Sequence, residues 1–266
     1  MAEMQIPDNN RHLSVSMTVD RCLDCIVTLT CWAWFTLGFI LFFSWRYAVS
    51  AAVARDPELA FQRLNSQFYR IFFRLVRLTA PRHRLEIADD VAAIRSAVIV
   101  CNHLSYLDPL LLIALFERQR TIVKTRFFSM PIFGSIIAKA GYLPATSEGA
   151  LAKLTVRQLE TMGEYLEKGG NLFIFPEGTR SRDGKIGKLN KGAFKIARMY
   201  KAPIYVLEIR NTDKLFTPGK FLFNTRINNT ISVRIIDRIM PDYRHHIPST
   251  ADLERQVVQA FMERQQ

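Results

Sequence analysis

The sequence predicts an α/β fold, a mostly parallel sheet flanked by helices, preceded by an N-terminal membrane-associated helical segment. After Pro81, short apolar runs typical of strands alternate with stretches typical of helices, a pattern that favours a parallel sheet. Before that alternation, residues 25–45 form a run of 21 residues without a charge. The length of 266 residues suits one domain of moderate size with an attachment.

Composition and charge exclude several classes of protein. An apolar content of 49% argues against disorder, and four cysteines are too few for a disulfide scaffold. The formal charge of +12 indicates an anionic partner. Residues 46–84 carry eight arginines against Asp56 and Glu58, which is half of that net charge. Because no nucleic-acid-binding signature occurs, we expect an anionic membrane surface as partner and no nucleic acid.

The uncharged run is the first predicted element. As a helix it would be about 31 Å long, close to the hydrocarbon thickness of a bilayer. Gly38 leaves open a re-entrant hairpin instead of a full span. The arginines that follow place the C-terminal side in the cytoplasm, of a bacterial cell in our interpretation. We divide the chain into an N-terminal tail (1–24), a membrane segment with an amphipathic helix (25–80) and a main domain (81–266).

The second predicted element is a basic amphipathic helix. Its apolar residues recur at helical spacing: Phe61, Leu64, Phe68, Ile71, Phe72, Leu75 and Leu78. Its basic face carries Arg63, Arg70, Arg74 and Arg77. Next to a membrane segment, such a helix favours a position in the lipid interface. The alternative is a surface helix packed on its own domain.

The main domain then alternates strands and helices. Strands are predicted over 97–101, 121–124, 172–175, 204–209 and 231–236, and helices over 109–116, 151–167, 191–200 and 251–263. Asp108 is the predicted N-cap of the helix that starts at Pro109, and Ser249 or Thr250 opens the last helix. Sites in such sheets form beyond the carboxyl ends of strands, which directs attention to the loops after Cys101 and Phe175.

The first loop joins a histidine to a carboxylate. His103 follows a buried strand and Asp108 comes five residues later, so the loop can fold the carboxylate onto the imidazole. Such a pair fixes the histidine tautomer and lets it act as a general base. Each residue alone has a structural alternative, since Asp108 can simply cap a helix. Asn102 and Ser105 flank the histidine, and Ser105 is either a loop-shaping residue or a substrate ligand.

The second loop brings together an acid, a glycine, hydroxyls and a guanidinium within residues 175–181, read as FPEGTRS. Arginine binds phosphate through a bidentate fork, and glycine lets backbone N–H groups approach an anion. The alternative is a polar turn with a surface ion pair between Arg180 and Glu177, which contributes little energy.

Together the two loops resemble the glycerolipid acyltransferase family, whose bacterial archetype is 1-acylglycerol-3-phosphate acyltransferase. The resemblance covers roughly residues 80–240. Asn102-His103 with Asp108 matches the first motif of that family, and Phe175 to Ser181 matches the third. Lys124 in KTRFFSMPIFG is similar to the second motif, and Pro203 before an apolar strand is similar to the fourth.

The resemblance implies a mechanism and a set of site residues. His103, oriented by Asp108, is the catalytic base on an acceptor hydroxyl, which attacks the thioester of an acyl-carrier protein or acyl-CoA. No metal or cofactor is required. The residues implied in substrate binding are Asn102, Ser105, Lys124, Arg126, Glu177, Gly178, Thr179, Arg180 and Pro203. Arg180 contacts the acceptor phosphate and Pro203 shapes an apolar wall near the acyl chain. The expected acceptor is a lysophospholipid, 1-acylglycerol-3-phosphate before others.

The sequence departs from the family pattern at two places. Arg126 stands where the second motif commonly has Glu, and the stretch from Gly141 to Thr146 lacks an arginine typical of phosphate-bearing acceptors. A different acceptor, lyso-ornithine lipid or a specialised lipid, therefore stays an alternative. A lipid or thioester hydrolase is the alternative of another class, although the chain has no G-x-S-x-G nucleophile elbow.

Overall fold

The protein is described by a computed structural model over residues 9–146, 149–181, 186–245 and 247–264. Its sheet has seven strands in the order β1-β7-β6-β2-β5-β3-β4. The strands are β1 (His83–Ile87), β2 (Ala97–Cys101), β3 (Gln119–Val123), β4 (Leu143–Pro144), β5 (Asn171–Ile174), β6 (Ile204–Arg210) and β7 (Asn229–Ile239). The pair β6–β7 is antiparallel and the other neighbouring pairs are parallel. The predicted fold class is confirmed.

Helices cover both faces of this sheet. They are α1 (Asn9–Ala33), α2 (Ser44–Val53), α3 (Pro57–Thr79), α4 (Leu107–Leu115), α5 (Phe133–Lys139), α6 (Ala152–Glu160), α7 (Met162–Glu167), α8 (Gly192–Met199), α9 (Thr212–Leu215) and α10 (Thr250–Glu263). Helices α3 and α4 contribute to the apolar core on one face, and α7, α8 and α10 to the core on the other. The central strand β2 is buried along its whole length, as its run AVIVC predicts.

Two predicted helices differ from the observed ones. The stretch predicted as one helix over 151–167 is two helices, α6 and α7, which meet at Thr161. Asp108 is not an N-cap: Tyr106 holds that position, and Asp108 lies in the first turn of α4. A carboxylate in the first turn interacts favourably with the helix dipole. From this position it also accepts hydrogen bonds from the preceding loop. The last helix is capped as predicted, by Ser249, in a capping box with Asp252.

The N-terminal segment is a long helix and not a hairpin at Gly38. Helix α1 continues through a π-helical stretch, Trp34–Phe43, into α2, and the residues from Arg21 to Val53 are long and apolar enough to cross a membrane. Gly38 lets the Trp34 ring lie against the backbone, since a Cβ there would be 2.6 Å from that ring. The chain reverses at residues 54–56 instead. Within the predicted tail, residues 9–24 are helical, and residues 1–8 lie outside the described residues.

Helix α3 runs back along this long helix and packs on the main domain. Its apolar face is buried: Phe61, Leu64, Phe68, Phe72, Phe73 and Val76. Asp56 caps the helix by accepting from Leu59 N, and Pro57 occupies its first turn. The alternative of a helix packed on its own domain therefore holds for these residues, whereas Ile71 and Leu78 of the predicted apolar face are exposed. The division of the chain at residue 80 stays a prediction.

Polar contacts join both N-terminal helices to the domain. Glu58 of α3 forms a bidentate ion pair with Arg120, whose side chain is 3% exposed, with Nε–Oε1 and Nη2–Oε2 distances of 2.7 and 2.9 Å. Asp24 of α1 is buried and accepts hydrogen bonds from Thr225 N at 2.9 Å and Thr225 Oγ1 at 2.6 Å. Thr28 Oγ1 accepts from Phe223 N at 2.9 Å.

The burial of α3 predicts that its aromatic residues stabilise the whole domain. Phe72 is 0% exposed and Leu78, on the same helix, is 77% exposed. Phe72→Ala should lower the free energy of unfolding by about 3–5 kcal/mol because it leaves a cavity, and Leu78→Ala by less than about 1 kcal/mol. Urea unfolding in detergent, followed by far-UV circular dichroism, measures both. Equal stability of the two variants would contradict this packing.

Candidate active site

The parallel strands bring the two chemical loops to one edge of the sheet. Strand β2 lies between β5 and β6 and runs parallel to both, so the loops that follow all three strands meet at their carboxyl ends. His103 follows β2, Glu177 follows β5 and Thr212 follows β6. This juxtaposition is the one that a parallel sheet predicts for its site.

His103 and Asp108 form a hydrogen-bonded dyad. His103 Nδ1 is 2.9 Å from Asp108 Oδ2, with side-chain exposures of 17% and 0%. With Nδ1–H donating to the carboxylate, Nε2 keeps its lone pair and can accept a proton from a substrate. The phenyl ring of Phe175 stacks on the imidazole with a centroid distance of 4.4 Å, which holds the plane of the ring.

The buried carboxylate of Asp108 is the centre of the loop. Besides His103, it accepts from Leu104 N at 2.6 Å, from Ser105 N at 2.8 Å and from Thr212 Oγ1 at 2.5 Å. Four donors satisfy a carboxylate that is shielded from water, and a buried charge without such partners would be costly. The same bonds fix the backbone around His103, so the imidazole is held in place before substrate binds.

Thr212 is the site residue that sequence reasoning missed. It is buried at the start of α9, and Asn211 before it has a φ of 62°, which turns the chain from β6 towards the histidine loop. The sequence does contain a signal for Thr212. It follows the strand predicted over 204–209, and sites form at the carboxyl ends of parallel strands.

Asn102 and Ser105 brace the loop. The Asn102 amide donates to Ile209 O at 2.8 Å and accepts from Ile209 N at 2.7 Å, which ties the end of β2 to β6. Ser105 is 0% exposed and its hydroxyl donates to Phe216 O at 2.7 Å. This burial and hydrogen bond support the loop-shaping role of Ser105, and its role in substrate binding stays a prediction. The Asn102 amide is likewise engaged by the backbone.

Three contacts fasten the second loop to His103. Glu177 Oε1 accepts from His103 N at 3.2 Å, and Ser181 N donates to His103 O at 2.7 Å; the third contact is the Phe175 ring. Burial raises the pKa of Glu177 above its usual value, and hydrogen bonds from the N–H groups of Gly187 and His103 partly offset that rise. Glu177 thus holds the loop at the histidine backbone.

The turn between Glu177 and Arg180 is exposed to solvent at its centre. Gly178 has a φ of 68° and closes the turn by donating to Phe175 O at 3.1 Å, a conformation that glycine adopts without strain. Thr179 is exposed. These two residues are free to present backbone and hydroxyl groups to a ligand.

Arg180 is poised for an anion. Its guanidinium lies over the Tyr106 ring, with Cζ 3.8 Å from the ring centroid. Its Nη1 atom is buried and has no hydrogen-bond partner in the part of the chain that the structure describes. A buried donor without a partner costs about 1–3 kcal/mol. A bound phosphate or carboxylate would satisfy it.

Lys124 and Arg126 lie at the same edge but further along it. They follow β3, which is two strands and therefore about 10 Å from β2. Both side chains are exposed, and Arg126 Cζ is 5.1 Å from the Phe127 ring centroid. Lys124 and Arg126 therefore lie at the same edge of the sheet as His103 but do not contact the His103–Asp108 dyad.

Pro203 lies away from the dyad, and its expected role near the acyl chain stays a prediction. It precedes β6 and its carbonyl accepts from Val98 N at 3.0 Å, so it lies at the amino ends of the strands. His103 is five residues beyond Val98 along β2, a distance of about 16 Å. Pro203 therefore does not line the site around His103.

Comparison with known proteins shows a similarity that includes both loops. Residues 82–210, which carry both loops, match the family described as Acyltransferase. These residues, just under half of the chain, are similar to acyltransferase domains.

Particular relatives share this domain. The chain is 34% identical over 140 residues to a chloroplastic 1-acyl-sn-glycerol-3-phosphate acyltransferase of Arabidopsis thaliana. This alignment covers 53% of the chain and 38% of the relative. The chain is 33% identical over 104 residues to a 1-acyl-sn-glycerol-3-phosphate acyltransferase of Pseudomonas aeruginosa, which covers 39% of the chain and 40% of the relative. The chain therefore spans about two fifths of the length of these relatives.

A solved structure shares the fold. The crystal structure of the 1-acyl-sn-glycerophosphate acyltransferase PlsC from Thermotoga maritima superposes with a TM-score of 0.68 at 21% identity, over 92% of this chain and 98% of that one. The likeness extends beyond the family domain, since residues 82–210 are fewer than those that superpose.

The hydrogen bond from Thr212 to Asp108 predicts a positioning role. Thr212→Val keeps the shape of the side chain but removes the donor to the carboxylate, so kcat should fall about tenfold with little change in KM. Thr217→Val is the control, because the Thr217 hydroxyl is exposed and bonds only to Asp213 O among the described residues. Steady-state acyl-transfer rates measure both. An unchanged kcat in the Thr212 variant would remove Thr212 from the site.

Proposed function

We propose that this protein transfers a fatty acyl group from an acyl-carrier protein or CoA thioester to the free hydroxyl of 1-acylglycerol-3-phosphate, giving phosphatidic acid. The observation that carries the proposal is the His103–Asp108 dyad together with Arg180 on the neighbouring loop, whose buried Nη1 has no hydrogen-bond partner among the described residues. The relatives named as 1-acyl-sn-glycerol-3-phosphate acyltransferases support this acceptor.

The proposed reaction uses His103 as a proton carrier. Nε2 accepts the proton of the acceptor hydroxyl while its oxygen attacks the thioester carbonyl carbon, and Asp108 stabilises the imidazolium. The tetrahedral intermediate then expels the thiolate, the C–S bond breaks, and the imidazolium returns its proton to sulfur. The thioester is already activated, so positioning and one base are sufficient, and we propose no metal or cofactor in this step.

Arg180 is the proposed ligand of the acceptor phosphate. A guanidinium offers two parallel N–H donors to two phosphate oxygens. In Arg180 the terminal nitrogen Nη1 is buried and has no partner within the described ranges of the chain. Stacking on Tyr106 fixes its plane before the ligand arrives. The phosphate would then lie beside His103, because Ser181, next to Arg180, bonds to the carbonyl of His103.

The long N-terminal helix is the proposed membrane contact. Its outward face exposes Leu23, Ile26, Leu29, Leu37, Ile40, Leu41, Trp45 and Val49, while the opposite face packs on α3. Since α3 carries exposed arginines, we propose that the helix lies along one leaflet with those arginines at anionic headgroups. By the charge bias, that leaflet faces the cytoplasm, of a bacterial cell in this proposal.

Activity tests the proposed reaction. With labelled acyl thioester, product phosphatidic acid should form only when 1-acylglycerol-3-phosphate is present, and His103→Ala should lower kcat by about 10²–10⁴. Thin-layer chromatography separates the product from free fatty acid. Release of fatty acid at the same rate without acceptor would favour the hydrolase alternative. Parallel assays with acyl-carrier protein and CoA donors, and with lyso-ornithine lipid as acceptor, identify both substrates.

If Arg180 binds the acceptor phosphate, its replacement should affect the KM for the acceptor more than replacement of Arg126 does. Arg180→Gln should raise the KM for 1-acylglycerol-3-phosphate about 10- to 100-fold and leave the donor KM unchanged, because it removes a charged hydrogen bond. Arg126→Gln is the matched control, since Arg126 is exposed beyond the dyad. Initial rates over both substrates measure the two constants. A larger acceptor effect in the Arg126 variant would move the phosphate to the second motif.

A further inference from the structure

The segment between α9 and β7 contains an exposed turn followed by exposed apolar residues. In this tip loop, residues 217–223, Lys220 N donates to Thr217 O at 3.0 Å and Gly219 has a φ of 82°. Pro218 and Gly219 at the central positions are typical of a type II turn. The turn presents Phe221 at 63% exposure and Leu222 at 37% exposure. Neither side chain contributes to the core of the domain.

The tip loop extends the apolar face of the long N-terminal helix. The Phe221 ring stacks on Trp32 with a centroid distance of 6.0 Å and an interplanar angle of 7°. Trp32 and Leu29 are themselves 44% and 56% exposed. Helix and loop thus form one continuous apolar surface, larger than the scattered apolar residues that a soluble protein normally exposes.

We infer that the tip loop inserts into the lipid bilayer next to the helix, with Phe221 and Leu222 in the acyl-chain region. Exposed Lys220 adjoins Phe221, and a lysine can keep its ammonium at phosphate level while its stem lies along apolar groups. Aromatic side chains favour the boundary between headgroups and acyl chains. The inference rests on the proposed contact of the helix with one leaflet.

The tip loop also leads directly to the site. Phe223 at its end stacks on Phe216 with a centroid distance of 4.7 Å, and Phe216 O accepts the hydroxyl of Ser105 in the histidine loop. An inserted tip loop therefore sets the histidine loop at the surface of the leaflet. A lysophospholipid can then present its hydroxyl to His103 while its acyl chain stays among lipids.

A fluorescent probe at position 221 tests the insertion. Phe221→Cys is made in a Cys22→Ser, Cys25→Ser background, because those two cysteines are exposed whereas Cys31 and Cys101 are buried. The cysteine is labelled with an environment-sensitive dye on full-length protein bound to phosphatidylcholine–phosphatidylglycerol vesicles. Met199→Cys is the matched control, since Met199 is 65% exposed at the end of α8, next to the amino ends of the strands.

Two sets of quenchers distinguish the outcomes. We expect lipid-bound nitroxide to quench the probe at 221 and aqueous iodide to spare it, with the reverse for the control. Quenching of the 221 probe by iodide alone, in protein that still floats with the vesicles, would overturn the inserted loop and leave the helix contact intact. Absence of flotation would overturn both, and neither result depends on acyl-transfer activity.

Kinetics supply a second readout. Phe221→Ser should raise the KM for 1-acylglycerol-3-phosphate presented in vesicles about fivefold, because a serine does not partition into the acyl-chain region. The KM for a short-chain, monomeric acceptor and kcat should stay unchanged. Met199→Ser should alter neither constant. An equal rise of KM for both acceptor forms would show a defect in the site itself and contradict a role in lipid access.

Discussion

The bonds to the Asp108 carboxylate are the constraint on which the site depends. This fully buried group accepts from His103, Leu104, Ser105 and Thr212, which come from two loops that follow different strands. A buried carboxylate that lost these donors would be destabilised, so the loops cannot separate without a large cost. The orientation of the His103 imidazole is therefore set by the folding of the domain and does not have to be created when substrate binds.

The sheet and the contact between His103 and Asp108 could be predicted from the sequence because both follow from local patterns. The apolar run 97–101 identifies a central strand, and the parallel arrangement then places His103 and Glu177 at one edge. Thr212 and the burial of Ser105 were missed because they depend on how a third loop closes over the first. Spacing along the chain carries no information on that closure. Pro203 precedes its strand as the sequence indicates, but its distance from His103 depends on the register between β2 and β6, which the sequence alone does not give.

The N-terminal region shows a further limit of pattern reading. The spacing of Phe61, Phe68 and Phe72 predicted an amphipathic helix, and the structure has one. Periodicity tells that a helix has an apolar face but not what covers it, lipid or another part of the chain. Here α4 and the long helix cover it. A glycine in an apolar run is compatible with a turn, so Gly38 left a hairpin open. The structure shows another role, because a side chain at Gly38 would collide with the Trp34 ring.

The buried contact of Asp24 with Thr225 has a practical consequence for engineering. Trimming the chain ahead of α3 would leave the Thr225 hydroxyl and amide without their acceptor and would uncover the aromatic face of α3. The long N-terminal helix is thus part of the folded domain and cannot be removed without exposing buried groups. A soluble variant would instead need polar replacements confined to the outward face, such as Leu37, Ile40 and Leu41, with the inward face kept.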